Sequence, residues 1–504
     1  MKSTQQHAVT FRQSDVEMFT KISHDRNPVH IQPQYARRTP FGQCLVYGIL
    51  GAMAAIREPL KGGPLRLRKF SARFKRPLFV DVAYTATLEM VAHGQLVVSL
   101  GRGGVEKLDV EIEYELGGTP WSADTSSLGY AERGEAAEGR TSGAPGREYA
   151  GDYELATAFL AELKKPFGFQ YAFLPRSQLT ALAWASYFVG MEMPGRQALF
   201  LSCSMEFPGV PDSDHHRMQY RGKVRSYDAE TSTLTIAADL SNAAGTVATV
   251  QLEAAQRPPP VEYRPRALEE TVGRSRVLEN KVALITGSSR GLGSLTALGC
   301  ALHGADVILN CREGRDEADR VAAQITALGR KATVLQGDVR ERETWLRMVD
   351  LLASTGRGLD LFVNNAFPPL VPTAFAESSD EDLDRFLGTV RATAMGVRIL
   401  LPALAKSGGA VINISSEATQ NPPREFSSYV VAKSAIEGLF LCLSKEYGAV
   451  RFVTVRPPRL LTDMTNGLVS AFQGRSPEGI VAAILRAMIE PANGRNHVVV
   501  DRFE

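Results

Sequence analysis

Tyr429-Val-Val-Ala-Lys433 places a phenol and an ammonium four residues apart. On a helix the two side chains share one face. A free phenol, with a pKa of about 10, is a poor acid or base at neutral pH, and a neighbouring lysine cation would stabilise the phenolate and lower that value. Such a phenol can protonate the oxygen of a carbonyl as hydride arrives at its carbon. Ser416, thirteen residues earlier at the end of a strand pattern, can hydrogen-bond the same oxygen. A Tyr/Lys pair alone is more often a solvated helix face. Here it is accompanied by Thr286-Gly287-Ser288-Ser289-Arg290-Gly291-Leu292-Gly293, a glycine turn between an apolar strand pattern and a helix pattern, and by Asn364-Asn365-Ala366 after another strand pattern. A turn of that kind lets backbone approach a pyrophosphate, and the helix N-terminus adds N–H donors and positive dipole. The combination predicts hydride transfer with a nicotinamide cofactor.

A second cluster is Asp25-Arg-Asn-Pro-Val-His30. An acid and an imidazole lie five residues apart across a turn that Asn27-Pro28 shapes. The pair can take a proton from one place and give it to another, which adding or removing water across a C=C bond requires. A turn with a capping aspartate and a structural histidine would use the same letters.

The elements that must position these groups fall into three blocks. Residues 117–152 are rich in Gly, Ser, Ala and Glu and nearly free of large aliphatics; 258–279 open with three prolines followed by alternating charges. Both read as linkers. Block one, 1–116, carries a helix pattern at Ser14–Ile22, an apolar helix at Gln43–Ile56, and strands at Leu65–Phe74, Ala83–Ala92, Leu96–Arg102 and Val105–Tyr114. Block two, 153–257, repeats that order, an apolar helix at Ser177–Met193 and then four strands between Ala198 and Ala254. It lacks the Asp-x-Asn-Pro-x-His pattern, and its His215 and His216 read as solvated loop residues rather than metal ligands. Block three, 280–504, alternates short apolar strands with helices, the pattern of a doubly wound parallel sheet.

Composition narrows the partners. A net charge of +2 gives no broad electrostatic case for nucleic acid or a membrane surface. Apolar content of 44% and charged content of 22% suit a globular chain, and no apolar run is long enough to span a bilayer. The first ten residues are polar, without the apolar segment of a signal peptide. Cys44, Cys203, Cys300, Cys311 and Cys442 form no CxxC pair, which predicts neither a disulfide framework nor a metal site and fits a reducing cytoplasm. An acid after the second strand of block three would hold the ribose hydroxyls of NAD; that place reads Asn310-Cys311-Arg312. Arg312 and Arg290 could instead pair with a 2′-phosphate, predicting NADPH over NADH.

Block three resembles the short-chain dehydrogenase/reductase family, of the 3-oxoacyl reductase type, over nearly all of Asn280–Glu504. The resemblance implies that the acid of Gly-Asp338-Val339 sits by the adenine, and that Asn364, Asn365 and Ala366 line the dinucleotide. Three places depart from the family pattern. Thr389 stands where a catalytic asparagine is common, Pro457-Pro458 where Pro-Gly is usual, and the end of the chain lacks a double glycine.

Phe19-Thr-Lys-Ile-Ser-His-Asp-Arg-Asn-Pro-Val-His-Ile-Gln-Pro-Gln-Tyr-Ala36 is similar to the signature of MaoC-like (R)-specific enoyl-thioester hydratases, which have the hotdog fold. The similarity spans about Val9 to Leu116 and implies that Asp25 and His30 are the acid/base pair. It also implies that the Gly48 N–H polarises the thioester carbonyl, an oxyanion-hole role. His24 stands where Gly is common, and Tyr47 where His is common. Block two reads as a degenerate second hotdog. The expected architecture is an α+β double hotdog followed by an α/β Rossmann domain. The expected substrate is an acyl thioester on carrier protein or CoA. The expected chemistry is ketoreduction with NADPH followed by dehydration, in a homo-oligomer. The alternatives are the oxidative direction with NAD, and an acyl-binding scaffold with one inactive site.

Overall fold

Tyr84-Thr-Ala-Thr-Leu alternates large and small side chains, and alternation buries one face of a strand. In the computed structural model this stretch lies in β3 (Ala83–Ala92), with Tyr84, Ala86 and Leu88 buried. The structure describes all residues except 1–3, 58–62, 118–135, 137–143, 157–173, 210–216, 355, 371, 468–473, 490–495 and 504. His215, His216 and most of the first expected linker therefore lie outside the described residues. The chain divides into two units, one built on residues 1–259, the other on 260–466 and 470–504.

The first unit opens with β1 (Thr4–Thr10) and α1 (Gln13–Ser23), then α2 (Pro28–Ile31), α3 (Pro33–Ala36) and α4 (Gly48–Ala55). Strands β2 (Leu65–Phe74), β3, β4 (Gln95–Arg102) and β5 (Val105–Leu116) complete the first hotdog. The second has β6 (Glu148–Glu154), α5 (Arg176–Tyr187) continued by a π-helical turn at Phe188–Glu192, and β7 (Ala198–Glu206), β8 (Arg217–Asp228), β9 (Thr233–Asn242) and β10 (Gly245–Gln256). All ten strands form one sheet in the order β1-β3-β4-β5-β2-β7-β10-β9-β8-β6. The two halves mirror each other about the β2–β7 seam, an antiparallel ladder pairing Lys69–Arg73 with Ser202–Glu206. The apolar helices α4 and α5 bury Leu50, Met53, Leu182 and Trp184 in the core that the sheet wraps.

Three expectations are corrected here. The apolar helix starts at Gly48, not Gln43, because Cys44–Val46 run extended, with Leu45 bridged to Phe79. Glu148–Asp152, read as linker, belongs to β6, which pairs with β8 at the far edge of the sheet. The stretch Pro265–Val272, expected to be an extended connector, is helix α6, which buries Leu268 in the core of the second unit.

The second unit runs from α6 through β11 (Val282–Ile285), α7 (Gly291–Leu302), β12 (Asp306–Cys311), α8 (Arg315–Ala327), β13 (Ala332–Gln336), α9 (Arg342–Ser354) and β14 (Leu361–Asn364). It continues with α10 (Asp380–Ser407), β15 (Ala410–Ile414), α11 (Ser427–Glu446), β16 (Arg451–Val455), α12 (Pro477–Ile489) and β17 (His497–Val500). Its seven strands are all parallel, in the order β13-β12-β11-β14-β15-β16-β17. The order reverses between β11 and β14, the place where such sheets open a crevice beyond their strand ends. The seventh strand, β17, is an addition to the six expected from the strand patterns. Helix α10 begins with a capping box between Ser379 and Asp382. It is long and apolar enough by composition to cross a membrane, which the sequence did not lead us to expect. Its buried residues Phe386, Thr389, Thr393, Val397, Leu400 and Leu404 make one face, as in a helix lying on a sheet.

Candidate active sites

The first site is set by the Asn27-Pro28 turn. Asn27 caps α2 by accepting from Val29 N–H, and its amide donates to Gly190 and Gly195 carbonyls of the second hotdog at 3.1 and 3.0 Å. This fixes Asp25, just before the turn, and His30, on α2. Asp25 is 2% exposed; its Oδ2 accepts from Ser186 Oγ at 2.7 Å, and its Oδ1 from Asn27 N at 3.1 Å. Burial raises its pKa to about 7 against both hydrogen bonds. His30 Nδ1 lies 2.8 Å from the Leu45 carbonyl, which can only accept, so Nδ1 carries the proton and Nε2 is the free base. Burial, opposed by that bond and aided by the Arg257 charge, lowers the imidazole pKa to about 4. Near neutrality the imidazole is therefore neutral and the carboxyl half protonated, passing to its acid form as pH falls below about 7. The ring of His30 stacks on Tyr47 at 3.8 Å, and Tyr47 donates to the Asp25 backbone carbonyl at 2.5 Å. Tyr47, which stands where His is common in the resembled family, thus braces both members of the pair. His24 has φ +57°, a backbone setting that glycine adopts at lower cost.

Gly48 is the first residue of α4. A Cβ there would come within 2.8 Å of the Phe74 ring, so a larger residue would have to displace that ring.

The second site lies at the reversal of the parallel sheet. Gly287 has φ +64°, and a Cβ on it would meet Ala366 Cα at 2.9 Å; a Cβ on Gly293 would meet the Gly287 carbonyl at 2.4 Å. The turn closes this tightly because Asn365 Nδ2 donates to the carbonyls of Thr286 and Gly287, both at 3.0 Å, and Ala366 N–H donates to Thr286 Oγ1. A Cβ on Gly291 would meet only the Tyr263 hydroxyl, at 3.8 Å, so space is open at the start of α7. Asn310 spends its amide on the Leu335 and Gly337 carbonyls, and its own carbonyl accepts from Ser288 N–H; it holds the turn rather than presenting a side chain to it. Asn364 bridges Asn413 and Thr393 between β15 and α10. The Val339 carbonyl accepts from Trp345 Nε1 at 2.7 Å. Asp338 is clamped by Arg340 at 2.6 Å, while Arg312 is exposed and paired with Glu313 at 2.8 Å. Backbone opening, α7 N-terminus and exposed Arg312 together fit a dinucleotide phosphate.

The Ser416 side chain acts on the Tyr429 hydroxyl, favouring its ionised form, and Ser416 Oγ accepts from Ala418 N–H. Lys433 is 4% exposed, with Nζ 5.7 Å from the Tyr429 ring centre. One expectation is reversed here: burial raises the Tyr429 pKa although Ser416 acts the other way, and no lowering by Lys433 is seen. The reason lies in the lysine. Burial brings its own pKa down to about 7 against the pull of Glu437, so its charge is half lost at neutrality. Its Nζ donates to the Ile414 carbonyl at 2.6 Å and rests 3.8 Å over the Phe367 ring. Thr389 donates to Arg385 O in its own helix at 3.4 Å.

The short chain dehydrogenase family matches residues 281–472, and the MaoC like domain matches residues 1–108. A trans-4-hydroxycyclohexanecarboxylate dehydrogenase of Sinomonas cyclohexanicum is 34% identical over 217 residues, 40% of this chain and 81% of that protein. The chain belongs to the short-chain dehydrogenases. A 7alpha-hydroxysteroid dehydrogenase of Clostridium sardiniense is 30% identical over 40% of this chain and 80% of its own length. A solved short chain dehydrogenase from Burkholderia cenocepacia, in complex with NADP, is 27% identical over 44% of this chain and 97% of its own, with a TM-score of 0.40. This short-chain dehydrogenase therefore carries a MaoC-like domain ahead of its Rossmann unit, and the pairing makes it an oxidoreductase joined to a hydro-lyase.

Several residues around the two sites carried no signal. Ser186 and Gly190 touch Asp25 from the half of the dehydrogenase's first unit that lacks the motif. Phe367, Phe386 and Phe426 meet the Tyr429 ring at 5.2, 6.4 and 6.0 Å, an aromatic surround assembled from three separate segments. Glu437 had a signal in its spacing, one helical turn beyond Lys433. Among the described residues no cluster of three or more His, Cys, Asp or Glu could hold a metal.

Proposed function

We propose that the chain reduces a 3-oxoacyl thioester with NADPH and dehydrates the resulting (3R)-hydroxyacyl thioester to the 2-enoyl form. The observation that carries this is the buried Asn27-Pro28 turn, which holds a carboxyl biased toward its acid form and an imidazole kept as the free base, in one chain with Ser416, Tyr429 and Lys433 and a glycine turn open to a dinucleotide. A dinucleotide held at the Gly287–Gly293 turn would supply the hydride for C3. Tyr429, held protonated by burial, gives its proton to the C3 oxygen, and Ser416 donates a hydrogen bond to that oxygen as charge develops. Lys433 in its charged form stabilises the phenolate left behind. In the dehydration, His30 Nε2 takes the C2 proton, the Gly48 N–H steadies the thioester oxygen, and Asp25 protonates the departing C3 hydroxyl. Arg312 and Arg290 are read as the 2′-phosphate contacts.

A phenol held in its acid form suits reduction better than oxidation, so the biosynthetic direction is preferred over hydration and NAD-dependent oxidation. The acyl group arrives on carrier protein or CoA, and joining the two sites raises the local concentration of the shared intermediate. The five cysteines are free, in keeping with a reducing cytoplasm, and the enzyme is read as a homo-oligomer. The test is incubation with a 3-oxoacyl thioester and NADPH, following cofactor absorbance and acyl products together. Cofactor consumption without any enoyl product sinks the coupled scheme. The attachment of Lys433 to Ile414 O and Phe367 favours one rival, an acyl-binding scaffold whose reductase half is silent. Dinucleotide binding without turnover would select it.

A further inference from the structure

The Glu437 carboxylate is the meeting point of helix α11 with the ends of strands β15 and β16. Glu437 lies on α11, two turns beyond Tyr429 and one beyond Lys433. From the end of β15, Ser415 Oγ donates to it at 2.5 Å, and Thr419 Oγ1, just past Ser416, donates at 3.1 Å. From the end of β16, Arg456 closes on both carboxylate oxygens, with Nε at 3.1 and 3.2 Å and Nη2 at 2.7 Å. The side chains are 14% and 20% exposed. A half-buried ion pair of this kind adds little net stability, since desolvation offsets most of the attraction. What it does hold is geometry. The Ser415–Thr419 segment carries Ser416, and it is also tied by backbone bonds from Ser415 N–H to Val455 O and from Glu417 N–H to Pro457 O, and by Arg459 N–H donating to the Glu417 carboxylate at 3.3 Å.

We propose that Glu437, clamped by Arg456, is a positioning residue that sets Ser416 against the Tyr429–Lys433 helix. The proposal rests on the reductase reading of this site. The serine comes from a strand end and the phenol and ammonium from a helix, so hydride transfer to a carbonyl between them depends on their relative placement. Glu437 rides on the tyrosine helix and takes the two hydroxyls, Ser415 and Thr419, that flank Ser416 on the serine segment.

The same carboxylate also faces the ammonium. Burial pulls the Lys433 pKa down to about 7 and the Glu437 charge opposes that pull. Burial would raise the Glu437 carboxyl, but Arg456, Ser415 and Thr419 hold it below its ordinary value, so it is ionised wherever Lys433 titrates. The other charged or titratable groups facing the cluster are Tyr429 on α11, Arg456 past β16 and His497 on β17, with Asp501 acting on Arg456.

The experiment compares the full chain with Glu437→Gln and Thr419→Val in NADPH-dependent reduction of a 3-oxoacyl thioester across pH. NADPH affinity is measured separately by fluorescence. Glu437→Gln is expected to lower kcat about tenfold with KM for NADPH little changed. It should also move the high-pH limb toward lower pH, because removing the anion lets the ammonium lose its proton earlier. Thr419→Val, which removes one hydroxyl donor and no charge, is expected to lower kcat about threefold with the limb unmoved. Glu437→Gln that binds NADPH normally and keeps both kcat and limb overturns the proposal. If Glu437→Gln does not fold, an unchanged kcat in Thr419→Val overturns it. No turnover in the unsubstituted chain fails the reductase reading itself; turnover there with both variants unaffected fails only the positioning role.

Discussion

The Ser186 hydroxyl, on the helix of the second hotdog, donates to the Asp25 carboxyl of the first at 2.7 Å. One turn further, a Cβ on Gly190 would stand 2.3 Å from Asp25 Oδ1. The half without the motif thus shapes the acid that the motif supplies. Gly190→Ala is expected to push the carboxyl out of place and cut dehydration on the order of a hundredfold, a geometric loss of the kind that misplacement of a reacting group causes. NADPH oxidation should be unaffected. Separate assays of the two half-reactions check this; unchanged dehydration would mean that Asp25 is not the proton donor.

The dehydration rate should depend on pH as a plateau with two limbs. His30 must be unprotonated, which holds above about 4. Asp25 must be protonated, which holds below about 7. The two groups share one site, so the limbs report values of the pair. A rate that instead rises through pH 7 would reverse the acid and base assignment.

Ser186→Ala removes a hydrogen bond that favours the ionised carboxyl. Its absence lets the Asp25 pKa rise, so the high-pH limb of dehydration should move to higher pH. Arg257→Met removes a cation that disfavours protonated His30, so the low-pH limb should move to higher pH as well. Rate profiles of the two variants give opposite widths: a broader plateau for the first, a narrower one for the second.

Tyr429→Phe removes the proton donor while leaving the ring among Phe367, Phe386 and Phe426. Reduction is expected to fall by about 10²–10⁴-fold with dinucleotide affinity retained and dehydration untouched. Retained reduction would remove the phenol from the mechanism.

Arg312→Ala tests the cofactor preference. The side chain is 56% exposed and its guanidinium is shared with Glu313, so its loss should weaken NADPH by only about tenfold, with NADH unchanged. Equal loss for both cofactors would argue against a 2′-phosphate contact.

Periodicity made much of this fold legible. The bounds of β2, β3 and β13 coincide with those read from alternation and apolar runs, because a sheet with one buried face imposes a period of two. The β6 strand was not legible. Glu148-Tyr-Ala-Gly-Asp-Tyr-Glu buries Tyr153 alone, and a short polar edge strand has the composition of a linker. The same holds for α6, whose one buried residue is Leu268. At the sites, residues near a motif in the chain could be read from spacing, and residues brought by topology could not. Ser186 is 161 positions from Asp25, and nothing local marks it. The Lys433 environment was illegible for another reason: burial, which outweighed the expected charge effect on Tyr429, is a property of the packed core.

The β2–β7 seam has a consequence for anyone dissecting the molecule. Lys69–Arg73 and Ser202–Glu206 share a main-chain ladder, so a fragment ending at Leu116 would bare the seam edge of β2 and leave five residues of backbone donors and acceptors seeking another chain. That fragment would contain every letter of the Asp-x-Asn-Pro-x-His motif and yet lack the hydroxyl and the glycine that Asp25 leans on. The smallest portion to express for hydro-lyase work is the whole mirrored sheet, and halves produced apart would have to find each other through that edge.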